Sequence, residues 1–254
     1  MAEKNIRLTI EYRGTAFSGW QYQDDARTIQ NEIEEAIFKT TGKKVNLLAA
    51  GRTDAGVHAL GQVANFRIDH NLDPQQYQDA LNYYLDDDIL IKNSLEVPLD
   101  FHARFDAISK RYRYIVSPLR SAIYRDLRWQ IPAVEFPLLQ QAAALVAGEH
   151  DFSPFCVVAS RKEDNRCRID YSRWFKYGEL MVYEVRGNRF LHSMIRSLVG
   201  AMINLARVAS DRNKDNLTLA RFQNIIEAQT EDRVKFTAPA RGLYLVSVQY
   251  QDKG

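Results

Sequence analysis

Ten residues, AGRTDAGVHA (50–59), gather a guanidinium, a hydroxyl, a carboxylate and an imidazole between and beside two glycines. A carboxylate can act as nucleophile or base, and a guanidinium can hold an anion. Arg52 and Asp54 are two positions apart, so an extended backbone points both to the same side. Spacing alone leaves the alternative open: a turn in which Asp54 makes an Asx hydrogen bond and Arg52 is a solvated charge. Asp54 has no second carboxylate close by in the chain, which argues against a glycosidase-like pair. No GxSxG, P-loop or Rossmann fingerprint occurs. Five scattered histidines argue against a metal site, and Cys156 and Cys167 lie outside any CxxC spacing, so neither zinc nor a disulfide is expected.

Two further stretches carry reactive groups. Residues 101–129 hold seven cations, Arg104, Lys110, Arg111, Arg113, Arg120, Arg125 and Arg128, interleaved with aromatic rings and opposed by two acids. Cations alternating with stacking rings suit unpaired or flipped nucleotides. The same pattern also describes an aromatic core strand with a basic outer face, since alternation puts Tyr112 and Tyr114 on one face and Arg111 and Arg113 on the other. Lys110, Arg111 and Arg113 are the expected RNA contacts of this stretch. In residues 189–208 a helical stripe runs through Phe190, Met194, Leu198, Ala201 and Leu205, widened by Leu191, Ile195, Val199 and Met202. Arg196 falls off it with His192, Ser193, Gly200 and Arg207, and periodicity alone makes it a solvent-facing charge.

The elements that must position these groups follow from local signals. In the first half a strand over 5–12 precedes a helix capped by Thr28, which presents Ile29, Ile33, Ala36 and Ile37 to a core and stops at Gly42. Strands near 45–50 and 61–68 flank the AGRTDAGVHA connection. Asp73, Pro74 and Gln76 mark the start of a second helix running to about Leu85, and a strand near 88–97 follows. In the second half a strand over 111–117 precedes a helix from Pro137 to about Ala147. A hairpin over 167–187 turns at Tyr177-Gly178-Glu179, helices over 189–208 and 217–228 follow, and a strand over 242–250 ends the chain. The fold class is α+β, with two split βαβ subdomains over 1–104 and 105–254.

Composition agrees with a folded protein, since 46% of the 254 residues are hydrophobic. No run is long enough to cross a bilayer, and the first residues enter a strand pattern rather than a signal peptide, so a cytoplasmic protein is expected. The net charge of +2 hides an asymmetry. Residues 1–100 carry 10 Lys+Arg against 16 Asp+Glu (−6), and residues 101–254 carry 24 against 16 (+8). A polyanion would therefore meet the second half first.

Taken in order, YRGTAFSGWQ (12–21), AGRTDAGVHALGQVANF (50–66), FHARFDAISKRYRY (101–114), GEHDFSPF (148–155), GNRFLHSMIRSLVG (187–200) and APARGLYLVSVQY (238–250) resemble the tRNA pseudouridine synthase A family. The resemblance implies two ferredoxin-like halves around a central, mainly antiparallel sheet with a cleft between them. It implies isomerisation of uridine in RNA without metal or cofactor, and targets at tRNA positions 38–40 in the anticodon arm, bound by a homodimer. Asp54 matches the catalytic aspartate, Tyr112 the active-site tyrosine, and Arg196 the basic residue paired with that aspartate. Arg52 matches the arginine that displaces the target nucleotide, and His58 is left as structural. Asp86 and Ala240 stand where the family pattern has proline, which bears on RNA range rather than chemistry. The competing readings are a synthase acting on another RNA and an RNA-binding protein without catalysis.

Overall fold

A computed structural model describes residues 2–207, 217–227 and 234–251. In chain order the first elements are β1 (Lys4–Tyr12), α1 (Ile29–Thr41), β2 (Leu48–Ala49), β3 (His58–Ile68), α2 (Pro74–Tyr84) and β4 (Ile89–Val97). There follow β5 (Ala107–Ser117), β6 (Trp129–Gln130), α3 (Phe136–Val146), β7 (Gly148–Asp151), β8 (Arg166–Tyr177) and β9 (Leu180–Gly187). α4 (Met194–Leu205), α5 (Leu219–Ile226) and β10 (Leu243–Tyr250) complete the set. Contacts divide the chain into two compact units, Met1–Lys110 with Tyr244–Gly254, and Arg111–Leu243. The sequence reading ended the first subdomain at 104 and gave everything after it to the second. The contacts instead return the last strand to the first unit. Among the described residues no helix is long and apolar enough to cross a membrane.

The first unit has the βαββαβ order of a ferredoxin-like half. β1 lies between β4 and β3, antiparallel to both, and β2 pairs with β3 beyond them. Thr28 caps α1 by accepting the Asn31 N–H, and Gly42 ends the helix in the left-handed region at φ +71°. The expected face, Ile29, Ile33, Ala36 and Ile37, is buried. α2 opens with the expected capping box, Gln76 Oε1 accepting from the Asp73 N–H at 2.9 Å. β2 is shorter than the strand read over 45–50. One edge of β3 is taken by β1, and the other is shared: β2 pairs at Asn65 and Ala64, and β10 pairs in parallel at His58 and Ala59. β3 also starts at His58, so the connecting loop is tighter than the motif's length suggests.

The second unit places β9 between β5 and β8, with β7 beyond β8 and β6 parallel to β5. The hairpin of β8 and β9 turns at Gly178 with φ +56°, as its sequence implies. Tyr112 and Tyr114 are buried on one face of β5, in line with the alternation. The helix read over 189–208 begins only at Met194, and residue 208 lies outside the described residues, as does 228 at the end of the next helix. The reason for the late start is tertiary. Asn188 Oδ1 accepts the N–H groups of Arg168 at 2.9 Å and Arg189 at 2.7 Å, and the Arg189 guanidinium donates to the Asp164 carbonyl at 2.6 Å. These bonds hold 188–189 against the start of β8 in a non-helical path. Ser193, at φ +58°, is the one non-glycine with positive φ among the described residues, and α4 starts directly after it.

Every residue of α4 except Arg196 is buried. The face read as polar is covered by the chain leading into β10: a Cβ at Gly200 would lie 2.7 Å from the Phe236 carbonyl oxygen. Alanine is favoured over glycine in a helix by about 1 kcal/mol, whereas overpacking against backbone costs about 1–3 kcal/mol. Gly200→Ala is therefore expected to lower stability in denaturant unfolding despite its better helix propensity. A stabilised variant would show that the 234–239 segment does not press on α4.

A second polar feature of this unit sets a pH dependence. Glu184 in β9 is 1% exposed, and its two oxygens accept from Arg113 Nε and Arg173 Nη2, each at 2.7 Å. Burial pushes the carboxyl up, but the hydrogen bonds and charges of Arg173 and Arg113 together outweigh it and hold it below its ordinary 4.5. Such a group stabilises the fold fully above its unfolded value, and that contribution is lost as pH falls through the folded value. Denaturant titrations at about pH 5 and about pH 3 are expected to show a smaller loss of stability in Glu184→Gln than in the wild type. Equal losses would contradict the assignment.

Candidate active site

The chain bends out of β2 at residues 50–51 and turns into β3 at 55–56. Thr53 points inward and is buried, while Arg52 is exposed and Asp54 half-buried. The Thr53 hydroxyl and the Tyr12 phenol form a buried hydrogen bond of 2.8 Å, and the Thr53 carbonyl accepts the Trp20 N–H at 3.1 Å. Burial pushes the Tyr12 phenol far above its usual range, so it stays protonated. Gln62 Nε2 donates to the Gly51 carbonyl at 2.7 Å. The Val57 N–H closes a four-residue turn on the Asp54 carbonyl at 3.1 Å, and Gly56 supplies the positive φ, +77°, at its third position.

The floor of this loop is the YRGTAFSGWQ stretch. A Cβ at Gly14 would overlap the Val57 carbonyl oxygen, and one at Gly19 (φ +99°) would lie 2.8 Å from that of Thr53. Both positions therefore need glycine for close backbone approach. His58 is buried, accepts the Gly14 N–H at Nδ1 (3.1 Å) and stacks on Tyr244 at 4.7 Å. The imidazole is a brace for the loop. Asp54 is thus a half-buried carboxylate on a backbone pinned at Gly51, Thr53 and Val57, with an exposed guanidinium two residues before it.

In the second unit, Tyr112 is buried to 7% exposure on β5 and meets the Phe190 ring edge-on at 5.1 Å. Phe190 comes from the 188–193 loop, not from the helical stripe in which the sequence placed it. Arg196 is not a free solvent charge: its Nε donates to the Ala238 carbonyl at 2.9 Å, and its own carbonyl accepts the Ala238 N–H at 3.0 Å. Tyr114 holds the next residue, donating to the Pro239 carbonyl at 2.7 Å, and a Cβ at Gly242 would strike its ring at 2.6 Å. Burial pushes the Tyr114 phenol up, against the charges of Arg196 and Arg241. Residues 238–242 therefore tie the strand of Tyr112 to the helix of Arg196.

The expected RNA contacts separate. Lys110, in the first unit, runs along Gly51 of the loop. Arg111 and Arg113 lie on the face of β5 away from Tyr112, and Arg113 Nε is committed to Glu184. Sequence reasoning missed the anchors Tyr12, Gly14, Gly19 and Gln62, and the ring contact of Phe190. The glycines and Tyr12 were visible inside a quoted motif, but their partners lie some forty residues away in the chain.

A half-buried aspartate on an anchored loop suits nucleophilic or proton-transfer chemistry. The sequence profile of the tRNA pseudouridine synthase family matches residues 8–106 and 142–251, which include Asp54 and Arg196. The chain belongs to this family of isomerases, which convert uridine to pseudouridine. It is similar to the tRNA pseudouridine synthase A of Acetivibrio thermocellus, 40% identical over 252 residues that cover 97% of this chain and 100% of that protein. The proteins of that name from Chlorobium luteolum and Brachyspira hyodysenteriae are 37% and 35% identical, each covering 98% of this chain and 96% and 99% of their own lengths.

Thr53→Val removes the shorter of the two hydrogen bonds of the buried Tyr12 phenol and leaves it the longer one from Gln62 Nε2 at 3.5 Å, at a cost of about 1 kcal/mol. Because Asp54 follows directly, pseudouridine formation is expected to fall by more than the folded fraction does. Activity per folded molecule equal to wild type, with stability followed by thermal unfolding, would show that this anchor does not position the aspartate.

Proposed function

We propose that this protein isomerises uridine to pseudouridine in the anticodon arm of tRNA, at positions 38–40, as a cytoplasmic homodimer. The observation that carries this reading is the anchored presentation of Asp54 in a chain of the tRNA pseudouridine synthase family. The names of its full-length relatives support the tRNA substrate. A uridine in a stem or stem–loop must first be turned out of the stack, and the exposed Arg52 beside Asp54 is proposed to take part in that displacement.

In the reaction the N1–C1′ bond breaks, the uracil turns, C5 bonds to C1′, and the C5 proton is exchanged for one on N1. The atoms balance within the nucleotide, so the proposed reaction calls for no oxidant, reductant or group donor. Asp54 enters as a carboxylate, either attacking C1′ or removing a ribose proton. Tyr112 is proposed to lie against the uracil ring and take part in the late proton transfer from C5, and Arg196 to favour the charged form of the aspartate.

Tritium release from tRNA labelled at uridine C5 tests the reading. Asp54→Asn and Asp54→Ala are expected to lose at least about a thousandfold in rate while tRNA affinity changes little. Full turnover by either variant would remove Asp54 from the chemistry. Wild type that binds tRNA and releases no tritium would instead favour a non-catalytic RNA-binding role.

A further inference from the structure

Several cations of the first unit face carboxylates. Lys4 meets Glu96, Arg27 meets Glu32 and Asp86, Lys39 meets Glu35, Lys43 meets Asp69 and Lys92 meets Glu11. Lys110 departs from that pattern. Its half-buried side chain runs along Gly51, so that a Cβ there would lie 3.4 Å from its Cε and 3.8 Å from its Nζ. Among the described residues it makes neither a hydrogen bond nor an ion pair. Burial pushes its amine down, and so does a second cation, Arg104. Arg104 has no carboxylate partner among the described residues either.

A partly desolvated ammonium without an acceptor is costly, and a neighbouring guanidinium adds repulsion. An anion bound at the Lys110 ammonium relieves both effects at once. The site adjoins Gly51, next in chain to Arg52 and three residues before Asp54, in a part of the sequence that is acidic overall. A compact ammonium is suited to a single phosphate oxygen, whereas a guanidinium can take two.

We propose that Lys110 is a phosphate site that seats the RNA backbone next to the nucleotide received by the Asp54 loop. The proposal rests on the reading of the chain as a tRNA pseudouridine synthase and names the group by which its catalytic loop grips the substrate.

The test is tRNA binding across a salt series by wild type, Lys110→Met and Lys110→Arg, with pseudouridine formation by wild type measured on the same tRNA. Lys110→Met keeps an unbranched stem without the charge. Its plot of log affinity against log salt is expected to be shallower by about 0.7–0.9, and Lys110→Arg is expected to restore the slope. In a second series, anticodon-arm oligonucleotides carry one neutral methylphosphonate at a time around the target uridine. One position is expected to weaken wild type while leaving Lys110→Met unaffected. An unchanged slope in Lys110→Met, or equal losses in wild type and variant at every position, overturns the site. Wild type that forms pseudouridine with a slope independent of Lys110 overturns the phosphate site alone. Wild type that forms none while its slope depends on Lys110 overturns the function and keeps the anion site. Should Lys110→Met fail to fold, Lys110→Gln, which also removes the charge, takes its place in both series with the same expected and overturning results.

Discussion

The buried hydrogen bond between the Tyr12 phenol and the Thr53 hydroxyl is the constraint on which the Asp54 loop depends. It joins the end of β1 to the middle of a segment with no ladder partner of its own. A net gain of about 1 kcal/mol is usual for such a bond, but a buried hydroxyl left without a partner costs more. The bond therefore acts chiefly by penalising every loop position except one. The Trp20 N–H and the Gln62 side-chain amide, each donating to a loop carbonyl, and two glycines that admit close backbone contact reinforce the same geometry. With Thr53 fixed inward, Arg52 on one side of it is exposed and Asp54 on the other is half-buried. A carboxylate held in this way needs little reorganisation when a substrate arrives.

The second unit meets the same demand with different means. Its elements are tied by the 234–242 chain, which meets α4 at Arg196 and Gly200 and β5 at Tyr114. α4 is buried on all sides except at Arg196, the one charged residue of that helix. The Ser193 backbone, in a conformation unfavourable for a side-chain-bearing residue, sets where the rod begins. Glu184 meanwhile engages Arg113 and Arg173 on the opposite face of β5 from Tyr112, which separates structural cations from those available to a polyanion.

Much of the fold was legible because its signals are local. Thr28 and Gly42 bound α1, Asp73 and Gln76 open α2, and Gly178 turns the hairpin, each through chemistry within four residues. What the sequence hid depends on distant partners. The strand read over 45–50 pairs with β3 only at Leu48 and Ala49, and β10, from the far end of the chain, joins the same edge of β3 at His58 and Ala59. α4 begins late because Asn188 is bonded to Arg168 on another strand. Arg196 looked solvated because helical periodicity cannot register the segment that lies across it. The site divides in the same way. The spacing of Arg52 and Asp54 admitted an ordinary turn, and only the company of the other motifs singled out the aspartate. The Lys110 contact with Gly51 joins residues that no local pattern connects.

The central claim is that the anchored Asp54 converts uridine in the anticodon arm. Mapping pseudouridine at single-nucleotide resolution tests it most directly, in tRNA from cells whose only copy of this protein is either wild type or Asp54→Asn. The account predicts pseudouridine at positions 38–40 with the wild type and unmodified uridine there with the variant, other tRNA pseudouridines being unchanged. Pseudouridine persisting at those positions in the variant cells would contradict it.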